Sequence, residues 1–107
     1  MQQPGKLIKS LATMQARMAT IQKELANTDY PGSSGGGLIT ASLRGDGELT
    51  KLVITPEAMS EGPEMLAELI QAAVSSAVKA KEADSKAKLK GVSAGLLPAG
   101  FNIPGLA

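Results

Sequence analysis

The apolar residues Leu7, Leu11, Met14, Met18, Ile21 and Leu25 recur at steps of four, three, four, three and four. That spacing puts them on one stripe of an α-helix. It predicts an amphipathic helix over residues 6 to about 27, roughly 33 Å long at 1.5 Å per residue. Ala, Gln, Met, Lys and Leu, which fill the segment, all favour helix. Such a stripe has to be covered by a copy of itself, by another part of the chain, or by a foreign partner. Three heptads are the lower limit for a coiled coil. The flanking Gln15, Arg17 and Gln22 also lack the Glu/Lys pairing of a dedicated zipper. A second stripe, Leu66, Ile70, Ala73, Ala77 and Ala80, follows the same steps, broadened by Val74 and Val78. Long Met and Leu side chains facing alanines allow close approach. The expectation is therefore that the first helix packs on the second within one fold.

Between the stripes the period changes to two. "LITASLRGDGELTKLVIT" predicts a β-hairpin turning at Asp46-Gly47, a pair suited to a two-residue type I′ turn. In that register Gly45 faces Glu48, and Ile39, Ala41 and Leu43 share a face with Leu52 and Ile54. Leu38, Leu49 and Val53 fall on the other face, which hints that it too is partly covered. A three-residue loop would instead pair Arg44 with Glu48; the first register is preferred because it concentrates the apolar residues. Upstream, "PGSSGGG" reads as a flexible connector, because three glycines weaken a strand. A short strand over 28–34 is the alternative, and Pro31 would confine it to a sheet edge.

Downstream, Thr55 and Pro56 suit the start of a short helical turn. Pro63 suits the first position of a helix running to about residue 90, with Gly91 as its C-cap. From Lys79 onward that helix is nearly all Lys, Ala, Glu, Asp and Ser, so it should project into solvent. The tail "GVSAGLLPAGFNIPGLA" is apolar and broken by Gly and Pro. Its Leu96, Leu97, Phe101, Ile103 and Leu106 could dock on a surface. The order is α-β-β-α, or α-β-β-β-α: a two-layer α+β domain over residues 1–107 with a small antiparallel sheet and two long helices. Thin apolar seams on long helices do better in a dimer than alone.

The chain has no cysteine and no histidine. This removes disulfides, the usual zinc sites and the commonest general base. Serines lack a base, and Glu57 with Glu61 are explained by helix starts. No catalytic residue, metal or cofactor is expected, and an enzyme is improbable. "GSSGGG" lacks the GxxxxGK[ST] pattern of a phosphate loop, and a strand follows it rather than a helix. The start "MQQPGKLIKSL" lacks the apolar core of a signal peptide, and no segment approaches the roughly 18 apolar residues of a membrane span. A soluble cytoplasmic protein without membrane contact is expected.

The net charge of +1 conceals a division along the chain. Residues 1–28 carry Lys6, Lys9, Arg17 and Lys23 against Glu24, a balance of +3. Residues 29–68 sum to −5. Residues 69–107 carry Lys79, Lys81, Lys86, Lys88 and Lys90 against Glu82 and Asp84, again +3. Any one of these lysines is explained by solubility or by the negative end of a helix. Together, on two projecting helices, they can meet phosphates. Lysine positions rather than specifies, and with two aromatic residues there is no stacking platform for bases.

With these pieces in order, the chain resembles the YbaB/EbfC family of bacterial nucleoid-associated proteins. The resemblance rests on "MQARMATIQKELA", "GGGLITASLRGDGELTKLVITPEAM", "EMLAELIQAAVSSAVKAKEA" and "LLPAGFNIPGL". It implies a homodimer with a shared central sheet and helices projecting like tweezer arms. It also implies binding to double-stranded DNA with loose sequence preference, in the nucleoid, with Lys6, Lys9, Arg17, Lys23, Lys79, Lys81, Lys86, Lys88 and Lys90 as candidate contacts. A replication or recombination protein is a further partner that the resemblance suggests. The rival reading is an adaptor that binds such a protein through the apolar seam and tail, with DNA contact incidental.

Overall fold

The computed structural model describes the backbone of residues 4–94 and the side chains of residues 8–92. The elements are α1 (Pro4–Ala26), β1 (Asp29–Ser34), β2 (Ile39–Arg44), β3 (Leu49–Ile54), α2 (Pro56–Met59) and α3 (Pro63–Ala94). This is the expected α+β order with the third strand present. The strands form one antiparallel sheet in the order β1-β2-β3. α3 lies across β1 and β2, and α1 runs beside the later part of α3. The tail after residue 94 lies outside the described residues.

β1 overturns the connector reading of residues 31–34. Asp29 to Ser34 pair without a break against Arg44 to Ile39. Pro31 is tolerated because β1 is an edge strand. Gly35, Gly36 and Gly37 all have positive φ and make the turn into β2. What holds β1 is α3. A Cβ at Gly32 would stand 2.3 Å from the Ala77 nitrogen and 2.4 Å from the Ala73 carbonyl oxygen. Strand and helix backbones therefore touch, and only glycine fits between them. The Ser34 hydroxyl donates to the Leu69 carbonyl at 2.6 Å beside the same contact.

That contact also corrects the expected use of the alanine stripe. Ala73 and Ala77 are fully buried, and they face the sheet rather than the Met and Leu residues of α1. The core joins Ile39 and Ala41 of β2 to Ala58 of α2 and Ala73 of α3, ringed by Leu38, Ile54, Leu66, Leu69, Ile70 and Val74. Thr55 caps α2 as expected: its hydroxyl accepts from the Ala58 N–H at 3.2 Å and donates to the Leu38 carbonyl at 2.8 Å.

The hairpin uses both registers weighed from the sequence. From Ile39↔Ile54 to Ser42↔Lys51 the pairing is the preferred one. Beyond Ser42 it shifts, so that Leu43 faces Leu49 and the Arg44 N–H donates to the Glu48 carbonyl at 2.7 Å. The loop is three residues long, with positive φ at Gly47 but not at Asp46, so the type I′ turn does not form. A type I turn closed by a left-handed glycine favours a three-residue loop. Burial of Ile39 and Ala41 opposite Ile54 and Leu52 favours the other register. The extra residue, Thr50, forms a bulge that accommodates both, and it brings Leu49 round to the face of Leu43.

α3 passes through Gly91 instead of ending there, and Gly91 keeps a negative φ. Glycine inside a helix costs roughly 1 kcal/mol relative to alanine. Burying the Val92 side chain one residue later returns about 1.5–3 kcal/mol, which favours continuation.

Candidate nucleic-acid interface

The end of α1 is seated on the hairpin tip. Asn27 and Thr28 donate their side chains to the Lys23 and Glu24 carbonyls at 2.9 and 2.6 Å, closing the last turn. The Gly45 N–H donates to the Thr28 carbonyl at 2.9 Å. A Cβ at Gly45 would lie 1.7 Å from the Leu25 carbonyl oxygen, so this contact also requires glycine. Arg44 at the same tip is held by Asp46 at 2.6 Å and by Glu48. Its guanidinium is committed there, and it holds the Asp46 carboxyl below the usual carboxylate range.

α3 is fixed over the sheet by Tyr30. This side chain is buried, and its hydroxyl donates to Asp84 at 2.6 Å. Asp84 in turn receives Lys88 at 3.3 Å. Burial first, then the neighbouring Asp84, pushes the Tyr30 phenol above its ordinary value. The Tyr30 hydrogen bond, then Lys88, holds Asp84 below its own, although partial desolvation opposes this. No feature of the sequence marked this pair, which is separated by 54 residues. Gly32 and Gly45 were likewise unmarked, because nothing local distinguishes a glycine needed for close approach from one in a loop.

The lysines of α3 divide into two sets. At 100° per residue Lys79, Lys86 and Lys90 fall within about 40° of one another. All three are exposed, on the side of α3 opposite Ala73 and Ala77. Lys81 and Lys88 fall beside the buried face and are half-covered. Lys88 meets α1 across an open crevice of about 730 Å³ lined by Thr20, Lys23, Glu24, Asn27 and Thr28. On α1, Lys9, Arg17 and Lys23 are exposed. Lys9 and Lys23 lie roughly opposite the apolar stripe at 100° per residue. The Lys6 side chain is outside the described ones. Among the described residues, Lys88 is the one candidate cation that makes an ion pair.

Glu24 lies on α1 and Glu82 and Asp84 on the later half of α3; the other acidic residues are elsewhere. Glu57, Glu61, Glu64 and Glu68 are exposed on α2, the turn after it and the start of α3. The later half of α3 and the whole of α1 are thus the basic part. Among the described residues no His, Cys, Asp or Glu cluster could hold a metal ion, and no helix is long and apolar enough to cross a membrane.

A sheet of three antiparallel strands with one long helix across it and a second helix beside that one defines a structural class. A solved structure of an uncharacterized protein from Helicobacter pylori shares it, with a TM-score of 0.57 over 92% of this chain and 100% of that one. At 21% identity this likeness speaks for the fold alone. Sequence is more specific. Residues 1–96 match the family model of the YbaB/EbfC DNA-binding family. A nucleoid-associated protein of Pseudomonas fluorescens (strain Pf0-1) is 38% identical over 103 residues, covering 92% of both chains. The chain belongs to the YbaB/EbfC DNA-binding family. That membership makes it a DNA-binding protein and not an enzyme, in agreement with the reading of its sequence.

Proposed function

We propose that this chain is a nucleoid-associated protein that binds double-stranded DNA as a homodimer, through phosphate contacts with little sequence preference. The observation that carries the reading is the exposed row Lys79, Lys86 and Lys90 on one face of α3, which makes no ion pair among the described residues. Lys9, Arg17 and Lys23 extend the basic surface along α1, and Lys6 and Lys81 are secondary candidates. Lys88 contributes less, because Asp84 already holds it. Point charges on a regular helix suit the evenly spaced phosphates of a duplex, and nothing in the row reads base edges.

The dimer reading rests on β3. Among the described residues its outer edge has no strand beside it, and Leu49, Leu52 and Val53 are 44%, 38% and 40% exposed. An apolar edge that carries a single lysine, Lys51, still leaves backbone groups open to pairing with another strand. A second β3 would extend the sheet across the two chains and leave the basic helices at its flanks. Residues 1–107 then form one such domain per subunit.

Anisotropy titration of a labelled random-sequence duplex at about 0.15 M salt tests the proposal, since non-specific affinities there lie at roughly 10⁻⁴–10⁻⁶ M. Binding that is similar for unrelated sequences and falls steeply with salt is expected. No binding at tens of micromolar protein would move the reading to the protein adaptor.

A further inference from the structure

The large apolar side chains left exposed among the described residues fall into three groups. One is the β3 edge, which the proposed dimer covers. The second is on α1: its stripe is half-buried from Met14 onward, but Leu11 is 53% and Ile8 66% exposed. On that helix the exposed cations Lys9, Arg17 and Lys23 outnumber the one described carboxylate, Glu24. The third group is Met59 and Met65, on either side of the turn between α2 and α3, which are 61% and 44% exposed. Met65 lines an open crevice of about 440 Å³ together with Glu61, Glu64 and Glu68. The chain has no lysine or arginine between Lys51 and Lys79, and no carboxylate of this corner makes an ion pair among the described residues.

The second and third groups are both apolar and opposite in charge. An anionic corner repels phosphates, so it is not a second site for the duplex. A methionine among carboxylates suits a long cationic side chain, whose methylenes lie on the thioether while its charge meets the acid. α1 supplies such cations together with exposed large apolar residues. The lysine row of α3 supplies cations, but among the described residues α3 has no exposed large apolar side chain after Met65. The complement of the corner is therefore α1.

We propose that the Met59 and Met65 corner of one dimer docks on α1 of a neighbouring dimer, at Ile8 and Leu11. Each chain carries one patch of either kind, and the two differ. The contact is therefore heterologous, and it repeats from dimer to dimer instead of closing on itself. It buries few apolar groups, so it is a weak encounter that gains from copies held close together, as they are along a duplex. Lys79, Lys86 and Lys90 stay free for phosphates. The contact itself needs no DNA; only its role in lining up bound copies rests on the function proposed above.

The absence of cysteine makes the test direct. The full-length double variant Leu11→Cys/Met65→Cys is oxidised at low salt without DNA and compared with Lys79→Cys/Met65→Cys, whose first site is outside the contact. Docking should give disulfide-linked species of three and more chains at least about five-fold faster in the first variant. Equal rates would overturn the contact as random collision. A product that stops at one or two chains would overturn it too, placing the pair inside the chain or inside the dimer. In the second arm, Glu64→Lys and Glu68→Lys are added to the first variant, with a thermal melt to check the fold. They should slow the formation of the larger species several-fold, and further addition of Lys9→Glu and Arg17→Glu should restore it. Species unmoved by the first pair, or not restored by the second, would overturn α1 as the occupant and leave the corner to a basic partner of another kind. DNA is absent throughout, so failure here is separate from a failed DNA titration.

Discussion

Replacing Lys79, Lys86 and Lys90 together by Gln isolates the outer face of α3. The three ammonium groups sit on one side of a single helix over about 16 Å of its axis, close to five phosphate steps of 3.4 Å on one strand. None is paired among the described residues, so their removal strands no buried carboxylate. Gln keeps the side-chain length and the helix preference of Lys. At exposed positions the change in folding stability should stay within about 0.5 kcal/mol. Each phosphate neutralised contributes about −0.9 to the slope of log K against log salt, so three per chain contribute about −2.7. Between 50 and 200 mM salt that amounts to about 1.6 log units. The parent protein should therefore lose roughly 40-fold more affinity across this range than the variant, for each chain engaged. Anisotropy titrations over a salt series read the slope, and a thermal melt checks the fold. An unchanged slope in a folded variant would refute the phosphate row and leave these lysines as solubilising groups. Lys88→Gln is the internal control, with a smaller change in slope because Asp84 already neutralises that charge at 3.3 Å.

The other predictions concern the scaffold. Gly32→Ala would drive a methyl to 2.3 Å from the Ala77 nitrogen, so its cost should reach or exceed the upper end of the roughly 1–3 kcal/mol of overpacked cores. Urea denaturation reads it, and a loss below about 0.5 kcal/mol would mean that strand and helix do not touch. Tyr30→Phe should lower the urea midpoint and flatten the acid limb of stability. Asp84 is depressed in the folded state, so its contribution is present above its unfolded value of 3.8 and fades as pH falls through the lower folded value. Tyr30 is raised above 10.0, so its own contribution is present below that pH and fades as pH rises through the folded value. An acid limb identical in the two proteins would show that Asp84 gains nothing from Tyr30. Leu52→Asp, which puts a charge on the open edge strand, should convert a dimer to a monomer of 10.9 kDa by light scattering. Retention of the parent's dimer mass would place the interface elsewhere.

Much of the fold was legible in the sequence because it depends on neighbours along the chain. Period, caps and prolines marked α1, the hairpin, the Thr55 cap and the Pro63 start, and each is where it was expected. What was not legible depends on contacts between distant residues. β1 is a poor strand by composition, and it forms because Gly32 lets it lie against the backbone of α3. The alanine stripe was recognised as a close-approach surface but assigned to the wrong neighbour. Periodicity shows that a face is buried and leaves open what buries it. The candidate lysines were legible as a set. Their division into the open row of Lys79, Lys86 and Lys90 and the covered pair Lys81 and Lys88 required knowing which side of α3 meets the sheet.

The hairpin shows how two local preferences were reconciled without either giving way. Burial asked for one register and the Arg44–Gly47 turn for the other, and as a choice between whole hairpins these exclude each other. A single inserted residue separates them: the sheet obeys burial up to Ser42 and the turn obeys its own geometry beyond it. The result bears on assembly. In the register preferred from the sequence Leu49 lies across the sheet from Leu52. With Thr50 bulged out, Leu49 comes round to the Leu43 side, the face that also carries Leu52 and Ile54 of the third strand. The turn at Asp46 and Gly47 thus adds Leu49 to the face that Leu52 and Ile54 already make apolar, and leaves Val53 as the apolar residue of the other face.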